Sequence, residues 1–149
     1  MSLNVLKPGE VAATGGTSGV VFGVVDRPVY DPEMRVNGFA HVNHQTDHPS
    51  VGILLCINGA GIQYSWIKQH MAAKDDTYQD MERMASEVPV NSVGLRVIPF
   101  GNGSERMLGN RNVGSHLINL QLNRHEASHV YRATLEGIAF SFAYGIEIL

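Results

Sequence analysis

Short apolar runs separated by glycine-rich turns fill the first 60 residues of the chain. Residues 9–13 and 20–25 are rich in β-branched and small apolar side chains, and they flank a Gly/Thr/Ser segment at 14–19. This pattern predicts a β-hairpin. Two further strands are predicted at residues 39–44 and 51–57. Because 51–57 is almost entirely apolar, we expect it to be covered on both faces.

Beyond residue 57 the apolar positions change to helical spacing. A small-residue turn leads directly from a strand into a helix, which is the signature of an α/β unit. The predicted elements are a helix from Ile62, a helix at 77–88, a strand at 95–100, a strand at 115–122 and a long helix at 126–149. The chain has no internal repeat and no linker-like segment, so the sequence predicts a single unit over residues 1–149.

Composition narrows the class of protein. The 149 residues are 44% hydrophobic and 17% charged, which excludes intrinsic disorder. The apolar runs are far shorter than the roughly 18–20 residues of a membrane span. A formal net charge of -3 argues against a nucleic-acid surface. One cysteine cannot form an internal disulfide, which favours a reduced, cytoplasmic setting. Together these features predict a cytoplasmic protein that binds neither nucleic acid nor membrane.

The two ends of the sequence carry no clear start or stop signals. The apolar face of the last helix continues to residue 149 without a glycine cap or a following proline. This pattern favours a piece of a longer chain. Apolar surface exposed at such boundaries would promote self-association, so a homodimer is one expected assembly.

Two glycine-rich segments could bind phosphate. In residues 15–19 (GGTSG), backbone N–H groups can approach an anion closely and the hydroxyls add donors, although a plain hairpin turn explains the same residues. The second segment, residues 58–63 (NGAGIQ), begins a helix whose free N–H groups would favour phosphate. Close packing of strand against helix is the alternative.

A third candidate is a possible zinc motif. His125, Glu126 and His129 fit the pattern H-E-x-x-H, with Glu147 as a third ligand, which is typical of a zinc metallopeptidase. The polar start of a helix explains the same residues, because Glu126 in a first turn complements the helix dipole. A second histidine group, with His41 and His44 on opposite faces of a strand, is not expected to converge. Three further side chains, those of Cys56, Tyr64 and Trp66, are predicted to be core.

The segments together resemble the FGGY carbohydrate kinases, and within them the xylulose kinases. Four stretches carry the resemblance, in family order: residues 14–25 (TGGTSGVVFGVV), 58–66 (NGAGIQYSW), 98–106 (IPFGNGSER) and 129–137 (HVYRATLEG). The chain departs from the family pattern at Asn119, where glycine is usual, and at Ser104, which is inserted before Glu105. The resemblance accounts for the last helix as structure and so disfavours the zinc motif.

The resemblance implies a partial α/β domain of the actin-like ATPase, ribonuclease-H-like fold. It implies ATP and Mg²⁺ as cofactors and a small sugar as substrate, with transfer of the γ-phosphoryl group to a sugar hydroxyl. D-xylulose is the sugar expected for the full-length protein. The alternative is another FGGY kinase, of the gluconate, fuculose or glycerol type.

The resemblance also assigns residues. Gly16, Thr17 and Ser18 match the hairpin that contacts the phosphates, and Gly59 and Gln63 match nucleotide contacts near the second turn. The catalytic aspartate of the family precedes the hairpin, and no aspartate occurs in this sequence before residue 26. No catalytic residue and no metal ligand is therefore expected here, and we predict that the 149 residues alone are inactive. A non-catalytic binding module of the same superfamily remains an alternative.

Overall fold

A four-stranded antiparallel sheet forms one side of the molecule. The computed structural model describes residues 4–149. The strands of the sheet are β1 (Val11–Gly15), β2 (Gly19–Val25), β3 (Asn37–Ala40) and β4 (Val51–Ile57). They are hydrogen-bonded in the order β1-β2-β4-β3, with every neighbouring pair antiparallel. The nearly continuous burial of β4 confirms that its apolar run is covered on both faces.

Three helices and a small second sheet complete the fold. They are α1 (Gly61–His70), α2 (Tyr78–Ser86), the paired antiparallel strands β5 (Arg96–Ile98) and β6 (His116–Ile118), and the long helix α3 (Ala127–Ile148). Each element predicted from the sequence is present, with ends that differ by a few residues. No helix within residues 4–149 is long and apolar enough to span a membrane.

Helix α3 packs against both sheets and joins two hydrophobic clusters. One cluster contains Leu55 and Ile57 of the large sheet, and the other contains Ile67 of α1, Met81 of α2 and Val97 of β5. Both clusters include side chains from α3. The long apolar face predicted for this helix is therefore the surface that connects the hairpin sheet to the helical part of the molecule.

Two of the predicted strands that are shorter in the structure end at turns. Strand β3 ends at Ala40, because the chain turns where the N–H of His44 donates to the carbonyl of His41 at 2.9 Å. The His41 ring is buried, and its Nε2 lies 3.2 Å from the carbonyl oxygen of Val5. Strand β6 ends before Asn119, whose backbone has a φ of 64°. A left-handed residue does not continue a strand.

The predicted core role of Trp66 is wrong, because its side chain is 50% exposed. Helix α1 instead buries Gln63, Tyr64 and Ile67, so its inward face includes a polar residue and leaves Trp66 outside. Tyr64 is buried as predicted. The Cys56 side chain is only partly buried within β4.

Candidate functional site

The pairing of β2 with β4 places the two glycine-rich segments at the same edge of the sheet. Gly19, the first residue of β2, is paired with Ile57, the last residue of β4. The hairpin tip at residues 16–18 therefore lies beside the turn at residues 58–60, which we call the elbow. Although 40 residues separate them in sequence, the antiparallel register brings them together.

The hairpin tip and the start of α1 are in direct backbone contact. The N–H of Gly61 donates to the carbonyl of Gly16 at 3.0 Å, and the N–H of Ile62 donates to the carbonyl of Thr17 at 2.9 Å. A Cβ atom added to Gly61 would lie 2.1 Å from the Gly16 oxygen. Only glycine permits this approach, so the close-packing explanation of the elbow holds at this residue.

These contacts contradict part of the phosphate prediction. We expected free N–H groups at the start of α1, but those of Gly61 and Ile62 are bonded to the hairpin, and that of Gln63 donates to Ala60 at 3.1 Å. A sequence pattern cannot show that a distant hairpin occupies a helix terminus. In contrast, the backbone N–H groups of Thr17 and Ser18 make no hydrogen bond within residues 4–149. They are the available donors at this edge.

A buried carboxylate holds the elbow. The two oxygens of Glu105 accept hydrogen bonds from the N–H of Asn58 at 3.0 Å and from the N–H of Gly59 at 2.8 Å. Glu105 is fully buried. Burial raises the pKa of its carboxyl group, and the two backbone hydrogen bonds oppose that rise.

Further contacts join the elbow to the loop that contains Glu105. The side-chain amide of Asn58 donates to the carbonyl of Ser104 at 2.8 Å, and that of Asn102 donates to the carbonyl of Asn58 at 3.0 Å. A Cβ atom on Gly59 would lie 2.0 Å from the carbonyl oxygen of Pro99. Gly59 is therefore the point at which the elbow packs directly against this loop, and its role in the structure is close packing.

Two cavities have Ile62 in their lining. The first, of about 270 Å³, is lined by Gly16, Thr17, Gly61, Ile62, Ser65 and Tyr78. The second, of about 320 Å³, is lined by Ile62, Gln63, Trp66, Gly101, Ser115 and Leu117. The structure thus places Gly16 and Thr17 in the lining of one cavity and Gln63 in the lining of the other, and Ile62 belongs to both. Gly59 lines neither cavity. Ser18 is not in the lining of the first cavity either, but it directly follows Thr17, which is.

The second cavity combines apolar walls with one unpaired polar group. Gln63 is only 6% exposed, and its side-chain amide makes no hydrogen bond with residues 4–149. The amide atoms of Gln63 are not among the fully buried unpaired atoms of the described residues, so they are open to the cavity and can bond water or a ligand with complementary donors and acceptors. The side chains of Ile62, Trp66 and Leu117 suit a flat apolar ring. The cavity is therefore suited to a heteroaromatic base.

The H-E-x-x-H residues serve the start of α3. The Nδ1 atom of His129 accepts from the N–H of Glu126 at 3.1 Å, which forms a cap on the helix. The Nδ1 atom of His125 accepts from the N–H of Gln121 at 3.0 Å. Glu147 lies 18 residues beyond His129, about 27 Å along the helix axis, and cannot join them. Within the described residues, no group of three His, Cys, Asp or Glu side chains could hold a metal ion.

Some residues of the site were missed by sequence reasoning. The segment 98–106 was identified only as a family motif, whereas the structure shows Glu105 bonded to the elbow. An acidic residue predicted to lie in a glycine-rich loop carries no signal of burial. Ser115 and Leu117, which line the second cavity, come from a separate segment whose approach depends on the pairing of β5 with β6.

Comparison with known proteins supports one family. Residues 11–149 match the C-terminal domain of the FGGY family of carbohydrate kinases. A gluconokinase from Bacillus subtilis (strain 168) is 29% identical over 150 residues, which cover 95% of this chain and 28% of that protein. A xylulose kinase from the same organism is 25% identical, with 97% of this chain and 28% of that protein covered. The chain thus spans little more than a quarter of these relatives.

Solved structures give the same result. The ligand-bound xylulose kinase from Lactobacillus acidophilus superposes with a TM-score of 0.80 at 26% identity, and covers 93% of this chain and 27% of that one. The gluconate kinase from Lactobacillus acidophilus gives a TM-score of 0.73 at 27% identity, over 87% of this chain and 25% of that one. The actin-like ATPase fold expected from the sequence is confirmed.

Proposed function

The chain belongs to the FGGY family of carbohydrate kinases, and we propose that residues 1–149 form part of the nucleotide-binding domain of an ATP-dependent sugar kinase. One observation carries this proposal. The Gln63 amide lines one cavity and the hairpin tip lines another, Ile62 lines both, and Thr17 and Ser18 of the tip have free backbone N–H groups. Donors for phosphate and a polar group for a base thus belong to two cavities that share Ile62.

Each proposed contact residue has its own role. Thr17 and Ser18 would bind phosphate oxygens through their N–H and hydroxyl groups, and Gly16 would keep the hairpin tip close to α1. Gln63 would hydrogen-bond the nucleoside. Gly59 would act indirectly, because its lack of a side chain allows the elbow to reach the loop at Pro99.

The described residues do not fit a Mg²⁺ site. Mg²⁺ binds through carboxylates and waters, and the one carboxylate at the elbow, Glu105, is already bonded to two backbone N–H groups. We propose that ATP brings Mg²⁺ to the full-length kinase. The ligands for the cation and the general base that accepts the sugar hydroxyl proton would then come from outside these 149 residues.

D-xylulose is our proposed substrate, with D-xylulose 5-phosphate as the product. Its support is the resemblance of four segments to xylulose kinases and the structural similarity to the Lactobacillus acidophilus xylulose kinase. Gluconate is the second candidate, because the Bacillus subtilis gluconokinase has the higher sequence identity, 29% against 25%. We further propose that the full-length protein is cytoplasmic and acts on ATP and a free sugar.

The test uses the full-length protein that contains this segment. An assay coupled to ADP production should detect phosphorylation of D-xylulose, and parallel reactions with gluconate, fuculose and glycerol test the other substrates. Gln63→Ala should raise the KM for ATP by about tenfold with little change in the KM for the sugar, since it removes hydrogen bonds to the nucleoside. Gln69→Ala, at an exposed position of the same helix, is the control.

Three results would contradict parts of the proposal. Absence of ATP-dependent phosphorylation of every sugar would reject the kinase function. A preference for gluconate would reject only the proposed substrate. Equal KM values for ATP in the Gln63→Ala and Gln69→Ala variants would reject the nucleotide site. The 149-residue chain alone should show no phosphoryl transfer, and turnover by it would reject the proposal that the general base lies elsewhere.

A further inference from the structure

The Glu105 carboxylate is bonded to a segment far away in the sequence. Asn58 and Gly59 precede Glu105 by 47 and 46 residues, and both of their N–H groups donate to it. The two bonds use both carboxylate oxygens. The side chain is fully buried, so water cannot replace either bond without a change in the packing.

Glu105 connects the two walls of the second cavity. One wall is the start of α1, which carries Gln63 and continues directly from the elbow. The other wall includes Gly101, which belongs to the same loop as Glu105. Between the walls, a Cβ atom on Gly59 would lie 2.0 Å from the carbonyl oxygen of Pro99, so the two backbones are already packed closely. Movement at Glu105 would therefore change the position of one wall relative to the other.

We propose that Glu105 is a positioning residue for the nucleotide: its carboxylate sets the distance between α1 and the loop at residues 99–105, and thereby the width of the cavity that contains Gln63. This inference rests on the proposed function. An amide at this position would keep one accepting oxygen but would point an NH₂ group at the second backbone N–H. The elbow would then lose one bond and be pushed away from the loop.

The chain contains a control, a second carboxylate that fastens a loop, although this one is only partly buried and also pairs with Arg132 at 2.8 Å. Glu136 of α3 accepts from the N–H of Asn91 at 2.9 Å and from the Ser92 hydroxyl at 3.0 Å. It lines neither of the two cavities at Ile62. In the full-length kinase, Glu105→Gln should raise the KM for ATP and the dissociation constant for ADP by about tenfold, with the KM for the sugar unchanged within twofold. Glu136→Gln should leave all three within twofold.

A second measurement does not require kinase activity. Trp66 is the single tryptophan of the 149-residue chain and lines the same cavity as Gln63. In that chain, Glu105→Gln should shift the tryptophan emission maximum and change quenching by acrylamide, whereas Glu136→Gln should do neither. If the wild-type kinase phosphorylates no sugar, the proposed function fails. The fluorescence comparison then still tests whether Glu105 sets the width of the cavity that contains Gln63.

Two outcomes would overturn the role of Glu105. One is a folded Glu105→Gln protein with unchanged ADP affinity and unchanged Trp66 fluorescence. The other is an equal loss of ADP affinity in the Glu136→Gln protein. If circular dichroism shows that the Glu105→Gln protein is unfolded, the same measurements are made on the Asn102→Ala protein. This substitution removes only the hydrogen bond from the Asn102 side chain to the Asn58 carbonyl. That variant should weaken ADP binding about two- to threefold, and no change would reject the proposal.

Discussion

The Gly61 N–H donates to the Gly16 carbonyl at 3.0 Å, and a Cβ atom on Gly61 would lie only 2.1 Å from that oxygen. The hairpin tip is thus fastened to the first residue of α1 through backbone atoms alone. The oxygen is part of the main chain and cannot rotate away as a side chain would. The relative placement of the two glycine-rich segments therefore requires a residue without a side chain at position 61.

We predict that Gly61→Ala destabilises the chain by about 1–3 kcal/mol, because the added methyl group must separate the hairpin from α1. Urea denaturation followed by circular dichroism measures this change. Gly38→Ala is the control, since a Cβ atom on Gly38 meets nothing within 4 Å. A Gly61→Ala protein as stable as the Gly38→Ala protein would show that the two backbones are not held in this contact.

Gly137 gives a second prediction, in which helix propensity and packing act in opposite directions. Replacing a glycine inside a helix by alanine ordinarily gains about 1 kcal/mol. Here a Cβ atom would lie 2.2 Å from the carbonyl oxygen of Val97, where α3 crosses β5. We therefore expect Gly137→Ala to lower the free energy of unfolding by about 1–3 kcal/mol.

The exposed Ala139, two residues further along α3, provides the matched comparison. Ala139→Gly should cost roughly 0.5–1 kcal/mol from helix propensity alone. Adding a methyl group at position 137 and removing one at position 139 would then both lower the free energy of unfolding measured by urea denaturation. A stability gain in the Gly137→Ala protein would mean that α3 can move away from β5 at little cost.

Much of the architecture follows from local patterns. The hairpin is specified by β-branched strands on each side of a Gly/Thr/Ser tip, and α3 by a long apolar repeat. The sequence also indicated that the segments at 15–19 and 58–63 belong to one site, and the structure brings them into contact. The hairpin and α3 were predictable because each depends on residues that are close together in the chain, whereas the joint site was expected from the family resemblance.

The parts that could not be predicted depend on distant contacts. The N–H groups of Gly61 and Ile62 at the start of α1 are not free, because the hairpin tip, 45 residues earlier in the chain, supplies acceptors for both. The apolar repeat predicted Trp66 as buried, but the inward face of α1 carries Gln63, which is polar and lines a cavity. Glu105 resembled a solvated loop residue. Its burial results from bonds to Asn58 and Gly59.

A third prediction concerns pH. The hydrogen bond from the Arg35 side chain lowers the pKa of Asp31 to about 2, from an ordinary value of 3.8. A carboxyl group with a lowered pKa contributes stability above its unfolded pKa, and that contribution is lost as the pH falls towards 2. We therefore expect Asp31→Asn to lower the Tm by a few degrees at pH 7.

The difference in Tm between the wild-type and Asp31→Asn proteins should shrink between pH 4 and pH 2, where the wild-type carboxylate becomes protonated. Thermal unfolding followed by circular dichroism at a series of pH values measures it. Glu33→Gln is the control, because Glu33 is exposed and its oxygen lies 3.5 Å from Arg35. A Tm difference that stays constant from pH 7 to pH 2 would show that the Asp31–Arg35 pair does not cause it.

Asn119 provides the last prediction, at the position where the sequence resemblance led us to expect glycine. Its backbone is left-handed, with a φ of 64°, and its side-chain amide donates to the carbonyl of Gly94 at 3.1 Å. Asparagine tolerates this conformation better than other residues with a side chain, which explains how it replaces glycine. Asn119→Ala should therefore cost about 1–2 kcal/mol in urea denaturation, whereas Asn119→Gly should cost less than 1 kcal/mol. Asn123→Ala, at an exposed position without positive φ, should change stability by less than about 0.5 kcal/mol. Equal stability of the alanine and glycine variants at 119 would show that the left-handed turn is not what this position requires.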